Sequence, residues 1–292
     1  MQELDQHSIT DVALDQMSNT QDRRLKEIMD VVVRHLHEIA REVDLRPSEL
    51  FAAVDFLTAV GQKCTSQRQE FMILAAVLGL ETVVNIVDDL RTEERGTRTS
   101  IRGPFYVSDP PRMALGQLLC PNAKGTEIAL YGTVRDSSGK PIANASVEIW
   151  QADEEGLYDV QRHAELDSRG CFLTDVKGQY YLRTIRPLGY SIPMDGPVGD
   201  LVRAQRRHGM RPAHIHFMVR APGYCDLITA LYLRSDNYIE SDTAFGVTES
   251  LIRDIVDPDP YSPFPDLPGL NFDFTLRSAE ARAAGQSNNS AR

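Results

Sequence analysis

The sequence has 292 residues, of which 42% are hydrophobic and 25% charged, enough to bury a full core in one large domain or two modest ones. Its formal net charge of −11 argues against nucleic acid or an anionic membrane as a partner, since both need clustered cations. Four dispersed cysteines, Cys64, Cys120, Cys171 and Cys225, form no C-x-x-C, which speaks against a zinc knuckle, a redox pair or a disulfide framework. The opening "MQELDQHSITD" lacks the regions of a signal peptide, and no stretch nears the roughly 20 apolar residues of a membrane span. We therefore expect a cytoplasmic location and no membrane insertion.

Helical periodicity dominates the first ninety residues. Between Asp22 and Arg41 the apolar positions Leu25, Ile28, Val32, Leu36 and Ile39 recur three or four apart, which predicts an amphipathic helix. Pro47 and Ser48 open a second helix, "SELFAAVDFLTAV", expected to stop at Gly61. The third, "QEFMILAAVLGLETVVNIVDDL", is apolar on more than one side, as suits a buried helix or one packed on another domain or subunit.

Beyond "RTEERGTRTSIRGPFY" the period changes. "TEIALYGTVRD", "ASVEIW", "GQYYLRTI", "AHIHFMV" and "LITALYLR" are short, rich in β-branched and aromatic residues, and separated by turn formers. No long helix separates them, so an antiparallel β-sandwich is expected rather than a parallel βαβ sheet. The fold class is thus α+β. A helical part over 1–100, a sandwich over 101–278 and a disordered tail over 279–292 are the expected divisions.

In "RPAHIHFMV", His214 and His216 alternate with apolar Ile215, Phe217 and Val219, so both imidazoles leave one face of a strand. Either they are surface residues of a sheet or they are paired ligands. Tyr158 in "DEEGLYDVQ" and Tyr190 in "RPLGYSIPMDGP" stand in turn-like positions, where a tyrosine is ordinarily a packing anchor with one hydrogen bond. A phenolate is costly near neutral pH, but a trivalent cation offsets that cost. Two phenolates, two imidazoles and a hydroxide around ferric iron would be formally neutral and could be buried.

Four segments carry a resemblance: "IRGPFYV", "GTVRDSSGKPIANASVEIWQADEEGLYDVQ", "GQYYLRTIRPLGYSIPMDGPVG" and "RRHGMRPAHIHFMVRAPGY". In their order and spacing the chain resembles the intradiol ring-cleaving dioxygenases of the catechol type over roughly residues 20 to 275. The resemblance implies one ferric ion per chain, held by Tyr158, Tyr190, His214 and His216, with Tyr190 as the tyrosine that substrate displaces. It assigns Arg211 the role of a fixed positive charge near the developing negative charge; its ordinary alternative is an ion pair with a loop aspartate. The substrates it implies are a small aromatic diol or triol and dioxygen. It further implies that the N-terminal helices form a homodimer interface able to hold a phospholipid.

Within the family, "EGLYDVQ" resembles the hydroxyquinol-cleaving branch, and Ala230 stands where catechol-cleaving members usually carry glutamine. By resemblance the pocket walls fall on Leu80, Val84, Ile101, Gly103, Pro104, Phe105, Ile192 and Pro193. Asn85 and Asp88 are candidates to meet a third ring hydroxyl. Catechol or chlorocatechol cleavage is the alternative within the family. Outside it stand a non-catalytic β-sandwich binding module and a divalent-metal site built from His208 or His163 with the histidine pair.

Overall fold

The structure is a computed structural model and describes residues 3–65, 68–162 and 166–280. By compactness the chain divides into two units, 1–59 and 60–292. In the first, α1 (Ser8–Gln16) packs on α2 (Arg23–Glu42). Asp22 caps α2 by accepting from the backbone N–H groups of Arg24 and Leu25, which satisfies donors that have no partner inside the helix. Arg41 of α2 donates to the Gln6 carbonyl and the Thr10 hydroxyl, tying the two helices together. The predicted stripe from Leu25 to Ile39 does form one helix, yet its apolar side chains stay exposed in the single chain.

The second predicted helix, α3 (Pro47–Lys63), runs past Gly61 to end at Lys63. The third expected helix is two: α4 (Glu70–Val77) and α5 (Leu80–Asp89), bent by 72° at Leu78 and Gly79. Gly79 has φ of +73°, a left-handed conformation that breaks a helix and costs glycine little. The two pieces differ in burial. Ile73, Leu74, Ala76 and Val77 of α4 are buried, whereas Leu80, Val83, Val84 and Val87 of α5 are exposed. No single described helix is long and apolar enough to cross a membrane.

The strand region continues with β1 (Glu127–Asp136), β2 (Ser146–Gln151), the short α6 (Asp159–Arg162), β3 (Arg169–Leu173), β4 (Gln179–Ile185) and β5 (Tyr190–Ser191). After α7 (Pro197–Ala204) come β6 (Met210–Arg211), β7 (His214–Arg220), β8 (Leu227–Leu233), β9 (Ile252–Arg253), β10 (Gly269–Asn271) and β11 (Phe274–Leu276). One sheet has β1 at its centre, with β4 antiparallel on one edge and β10, then β11, parallel on the other. The second has the order β3-β2-β7-β8-β9, and β5 pairs with β6 apart from both. Ile128, Leu130 and Phe274 of the first sheet share one buried core with Ile149, Phe217 and Leu231 of the second.

The α+β class is as expected, but the sheets are mixed rather than antiparallel. β9, β10 and β11 pair in parallel, and each has only two or three residues, too few for alternation to reveal a strand or its direction. The expected disordered tail lies, from residue 281 onward, outside the described residues. Backbones approach closely where β1 passes the turn before β11: a Cβ built on Gly132 would stand 1.8 Å from the Phe272 carbonyl oxygen. Gly132→Ala is therefore expected to lower stability by about 1–3 kcal/mol or more through overpacking. An unchanged Tm would contradict that close approach.

Candidate metal centre

Strand β7 is buried on both faces. Ile215, Phe217 and Val219 enter the core between the sheets, while His214 and His216 turn toward a second cluster built from Phe105, Trp150, Tyr158 and Tyr190. The two Nε2 atoms converge to 3.1 Å. His214 Nδ1 lies 2.6 Å from the Pro212 carbonyl oxygen, which can only accept, so the proton sits on Nδ1 and Nε2 keeps its lone pair. Burial first, and then the Arg211 charge, hold the His214 pKa well below the ordinary histidine value. Burial, His214, Arg211 and Arg169 do the same for His216. Both rings are therefore neutral, as metal ligands must be.

Asp153 opens the turn into Tyr158 by accepting from the backbone N–H groups of Glu155 and Leu157. Gly156 follows with φ of +76°, and a Cβ there would come within 3.0 Å of Tyr190 Cβ. Only glycine meets both demands, so the two tyrosine loops are held against each other. The Tyr158 and Tyr190 rings meet edge-on at 5.4 Å, and Tyr190 lies 5.4 Å from the His214 ring. Phe105 stacks on Tyr158 at 4.6 Å, and Trp150 stacks on His216 at 5.0 Å with planes 5° apart.

Tyr158 Oη is buried without a hydrogen-bond partner of good geometry. Burial, then the Tyr190 phenol, push its pKa well above the ordinary tyrosine value. A buried phenol with no acceptor of good geometry, next to two imidazoles with converging nitrogens, suits a strongly charged cation: the ion would supply the charge that makes a phenolate favourable there. Among the described residues no group of three or more His, Cys, Asp or Glu side chains could hold a metal ion. A metal at the histidine pair would thus draw on the tyrosines, and the set of two phenolic oxygens and two imidazoles fits iron(III).

Arg211 is wholly enclosed, and it makes the ion pair with a loop aspartate that is its ordinary reading. Its Nε and Nη2 donate to the two carboxylate oxygens of Asp242 at 3.1 and 3.3 Å, while Nη1 stands 3.1 Å from His214 Nε2. Nη2 also donates to the Tyr232 hydroxyl, which lies 3.0 Å from the Ser100 hydroxyl. Burial works against the Arg211 charge, but Asp242 and the neighbouring phenols more than offset it and hold the pKa above its usual value. Burial pushes Tyr232 up to about 12, so it meets Arg211 as a neutral phenol. The short β5-β6 ribbon puts Tyr190 opposite Arg211 in register. Asp242 and Tyr232 had no signal in the sequence, where a lone aspartate in "ESDTAFG" resembles any loop residue.

The anticipated walls divide. Ile101, Gly103, Phe105, Ile192 and Ala230 are buried, and Pro104 and Pro193 partly so. A Cβ on Gly103 would touch the His216 ring at 3.7 Å, and Ala230 is the register partner of His216. Leu80 and Val84 are 56% and 58% exposed, on the helix that follows the bend at Gly79. Ala76 of α4 packs with Ile101 and Ala244. Asn85 is half-buried and lines a small cavity with Asp89, Ser100 and Ile101, while Asp88 pairs with Arg91 at 3.3 Å. Glu81, not anticipated, accepts from the Arg102 N–H at 2.8 Å and so anchors the loop carrying Gly103. His208 accepts from the Met210 N–H and lies against Tyr238, while His163 lies outside the described residues.

Residues 101–278 match the family described as Dioxygenase, and residues 22–96 match Catechol dioxygenase N terminus. A 6-chlorohydroxyquinol 1,2-dioxygenase of Cupriavidus pinatubonensis is 44% identical over 258 residues, covering 88% of this chain and 93% of that protein. The chain belongs to the intradiol ring-cleavage dioxygenase family. A hydroxyquinol 1,2-dioxygenase of Rhizobium sp. is 42% identical over 241 residues, 82% of this chain and 81% of that one. The crystal structure of hydroxyquinol 1,2-dioxygenase from Pseudomonas putida DLL-E4 superposes with a TM-score of 0.84 at 34% identity, covering 94% of this chain and 98% of that one. This dioxygenase is accordingly an enzyme of the non-haem iron type, acting with dioxygen on aromatic diols or triols.

Proposed function

We propose that this dioxygenase cleaves hydroxyquinol, benzene-1,2,4-triol, between its adjacent hydroxyl-bearing carbons. Both atoms of dioxygen enter the product, 3-hydroxy-cis,cis-muconate, which tautomerises to maleylacetate. One ferric ion per chain is held by Tyr158, Tyr190, His214 and His216. The observation that carries this reading is the 3.1 Å convergence of the two Nε2 atoms beside the unpartnered Tyr158 hydroxyl. When bound at these four residues, the ion would supply Lewis acidity that makes an aromatic diol reactive toward dioxygen.

The chain's own residues do the rest. Tyr190, on a two-residue strand and slightly exposed where Tyr158 is fully buried, receives one substrate hydroxyl proton at Oη. Arg211 Nη1, fixed beside His214 by Asp242, offers a positive charge where the reacting ring gains negative charge. Ile101, Phe105 and Ile192 exclude water and fit a flat ring. The "EGLYDVQ" segment, Ala230 and the substrates named for the relatives support hydroxyquinol over catechol.

Side-by-side kcat/KM values for hydroxyquinol, 6-chlorohydroxyquinol, catechol and the 3- and 4-chlorocatechols test the choice of ring. A triol hydroxyl met by a buried partner is worth about 1–3 kcal/mol, so hydroxyquinol is expected to exceed catechol by roughly tenfold or more. A comparable preference for either chlorocatechol would overturn the substrate and leave the iron site standing.

The same reading takes residues 1–100 as a helical dimerisation domain and linker, 101–278 as the ferric catalytic domain, and places the homodimer in the cytoplasm. The change of family match between residues 96 and 101 supports the division. The exposed apolar stripe of α2, Leu25 to Ile39, supports a partner copy, with a phospholipid in the apolar seam. Deleting the first forty residues is expected to abolish the dimer in sedimentation. A soluble, active monomer after that deletion would contradict it.

A further inference from the structure

Asp159 and Arg169 form a buried ion pair that the reaction does not use. Both side chains are enclosed, and Arg169 Nε donates to Asp159 Oδ2 at 2.6 Å while Nη2 donates to the other carboxylate oxygen. The remaining fork atom, Nη1, donates to the Phe105 carbonyl oxygen at 3.2 Å. Asp159 also accepts from the backbone N–H groups of Val160 and Asp167. Asp159 directly follows Tyr158, and Phe105 stacks on the Tyr158 ring. The chain thus closes on itself around Tyr158: phenol, carboxylate, guanidinium, carbonyl and phenyl ring form one circuit.

The opposite side of Arg169 reaches the histidines. Arg169 on β3 is the register partner of Trp150 on β2, and Trp150 is the register partner of His216 on β7. Trp150 stacks flat on His216, whose Nδ1 is buried without a hydrogen-bond partner. His214 is oriented by the Pro212 carbonyl; His216 has no such bond and depends on this stack and on Gly103. Burying a full ion pair here is costly unless geometry is good, and apolar residues of similar size would serve stability as well or better. What apolar residues could not supply is the donor to the Phe105 carbonyl.

We propose that Asp159 and Arg169 are positioning residues, a clasp that fixes the Tyr158 phenol and the Phe105 wall against the Trp150–His216 row. The inference rests on the reading of Tyr158 and His216 as iron ligands. It gives the aspartate of "EGLYDVQ" a physical role: it acts on the ring-binding wall through Arg169 rather than by touching substrate.

The test compares the parent protein with Asp159→Asn/Arg169→Met, which removes both charges but keeps an acceptor for Asp167, and with Arg169→Lys, which keeps the charge but not the fork. Four quantities are read: apoprotein Tm, apoprotein near-ultraviolet circular dichroism, retention of iron against a chelator with its visible band, and kcat/KM on hydroxyquinol. The double variant is expected to stay folded with a somewhat lowered Tm, lose aromatic dichroism, shift the band and release iron faster. Its kcat/KM should fall roughly ten- to a hundredfold, the usual effect of removing partners that orient ligands. Arg169→Lys should fall between. A parent-like band, iron retention and kcat/KM in either variant would overturn the clasp. Unfolding of both would make the pair a stability element and overturn it equally. A parent protein without iron would instead contradict the ferric reading, and the apoprotein dichroism would then decide the clasp by itself.

Discussion

Tyr158→Phe is expected to diminish and shift the visible absorption of the iron-loaded protein, leaving the Tyr190 contribution, and to lower its iron content below one ion per chain. The ring would keep its stack on Phe105 and its edge contact with Tyr190, so only the oxygen is lost. That oxygen is buried without a partner, and an unsatisfied buried hydroxyl costs about 1–3 kcal/mol. The apoprotein should therefore melt no lower than the parent, while turnover falls by more than the roughly hundredfold seen when outer partners of a metal are removed. Stability and activity move in opposite directions, which separates a ligand from a packing anchor. A variant that keeps the band and the iron would show that Tyr158 is the anchor its loop position first suggested.

Arg211→Lys is expected to have the second-largest effect. Lysine keeps a positive charge for Asp242, avoiding the penalty of about 3–5 kcal/mol for leaving that carboxylate buried and alone. A single ammonium cannot reach both oxygens of Asp242, the Tyr232 hydroxyl and the edge of His214 together, as the guanidinium does. Loss of one preorganised donor to developing charge costs roughly a hundred- to a thousandfold in kcat. Iron content and KM should change far less than kcat. An equal loss in KM, with kcat unchanged, would move Arg211 from the reacting atoms to ground-state binding.

How far the fold and site were legible follows from the kind of signal each left. The alternation of His214 and His216 with Ile215, Phe217 and Val219 is strong, and β7 carries them on one face as that pattern requires. The tyrosines are legible only through resemblance, since their turns look like ordinary anchors until the Gly156 contact brings the loops together. The long apolar run over α4 and α5 misleads because its composition does not show the bend. Gly79 with positive φ divides the run into two helices, and Leu80 and Val84 of the second are exposed in the single chain. Parallel pairing of β9, β10 and β11 leaves no trace in segments of two or three residues. Asp242, Tyr232 and Arg169 act through contacts across 10 to 31 residues of sequence, and no local pattern encodes such distances.

Glu81 illustrates the same point on α5, where one carboxylate oxygen holds the Arg102 N–H and the other is buried without a partner. Burial first raises its pKa, and the nearby backbone N–H groups and Arg211 oppose the rise. Nothing in the sequence sets this glutamate apart from the apolar run around it. In the fold it anchors the loop whose Gly103 lies against His216.

The most direct measurement is the fate of isotopically labelled dioxygen during turnover of hydroxyquinol by the iron-loaded protein. Cleavage between the adjacent hydroxyl-bearing carbons, with both oxygen atoms retained, predicts one labelled atom in each new carboxylate of the hydroxymuconate, trapped before exchange. A semialdehyde from cleavage outside the diol, or a purified protein that binds no iron and consumes no oxygen, would contradict the account.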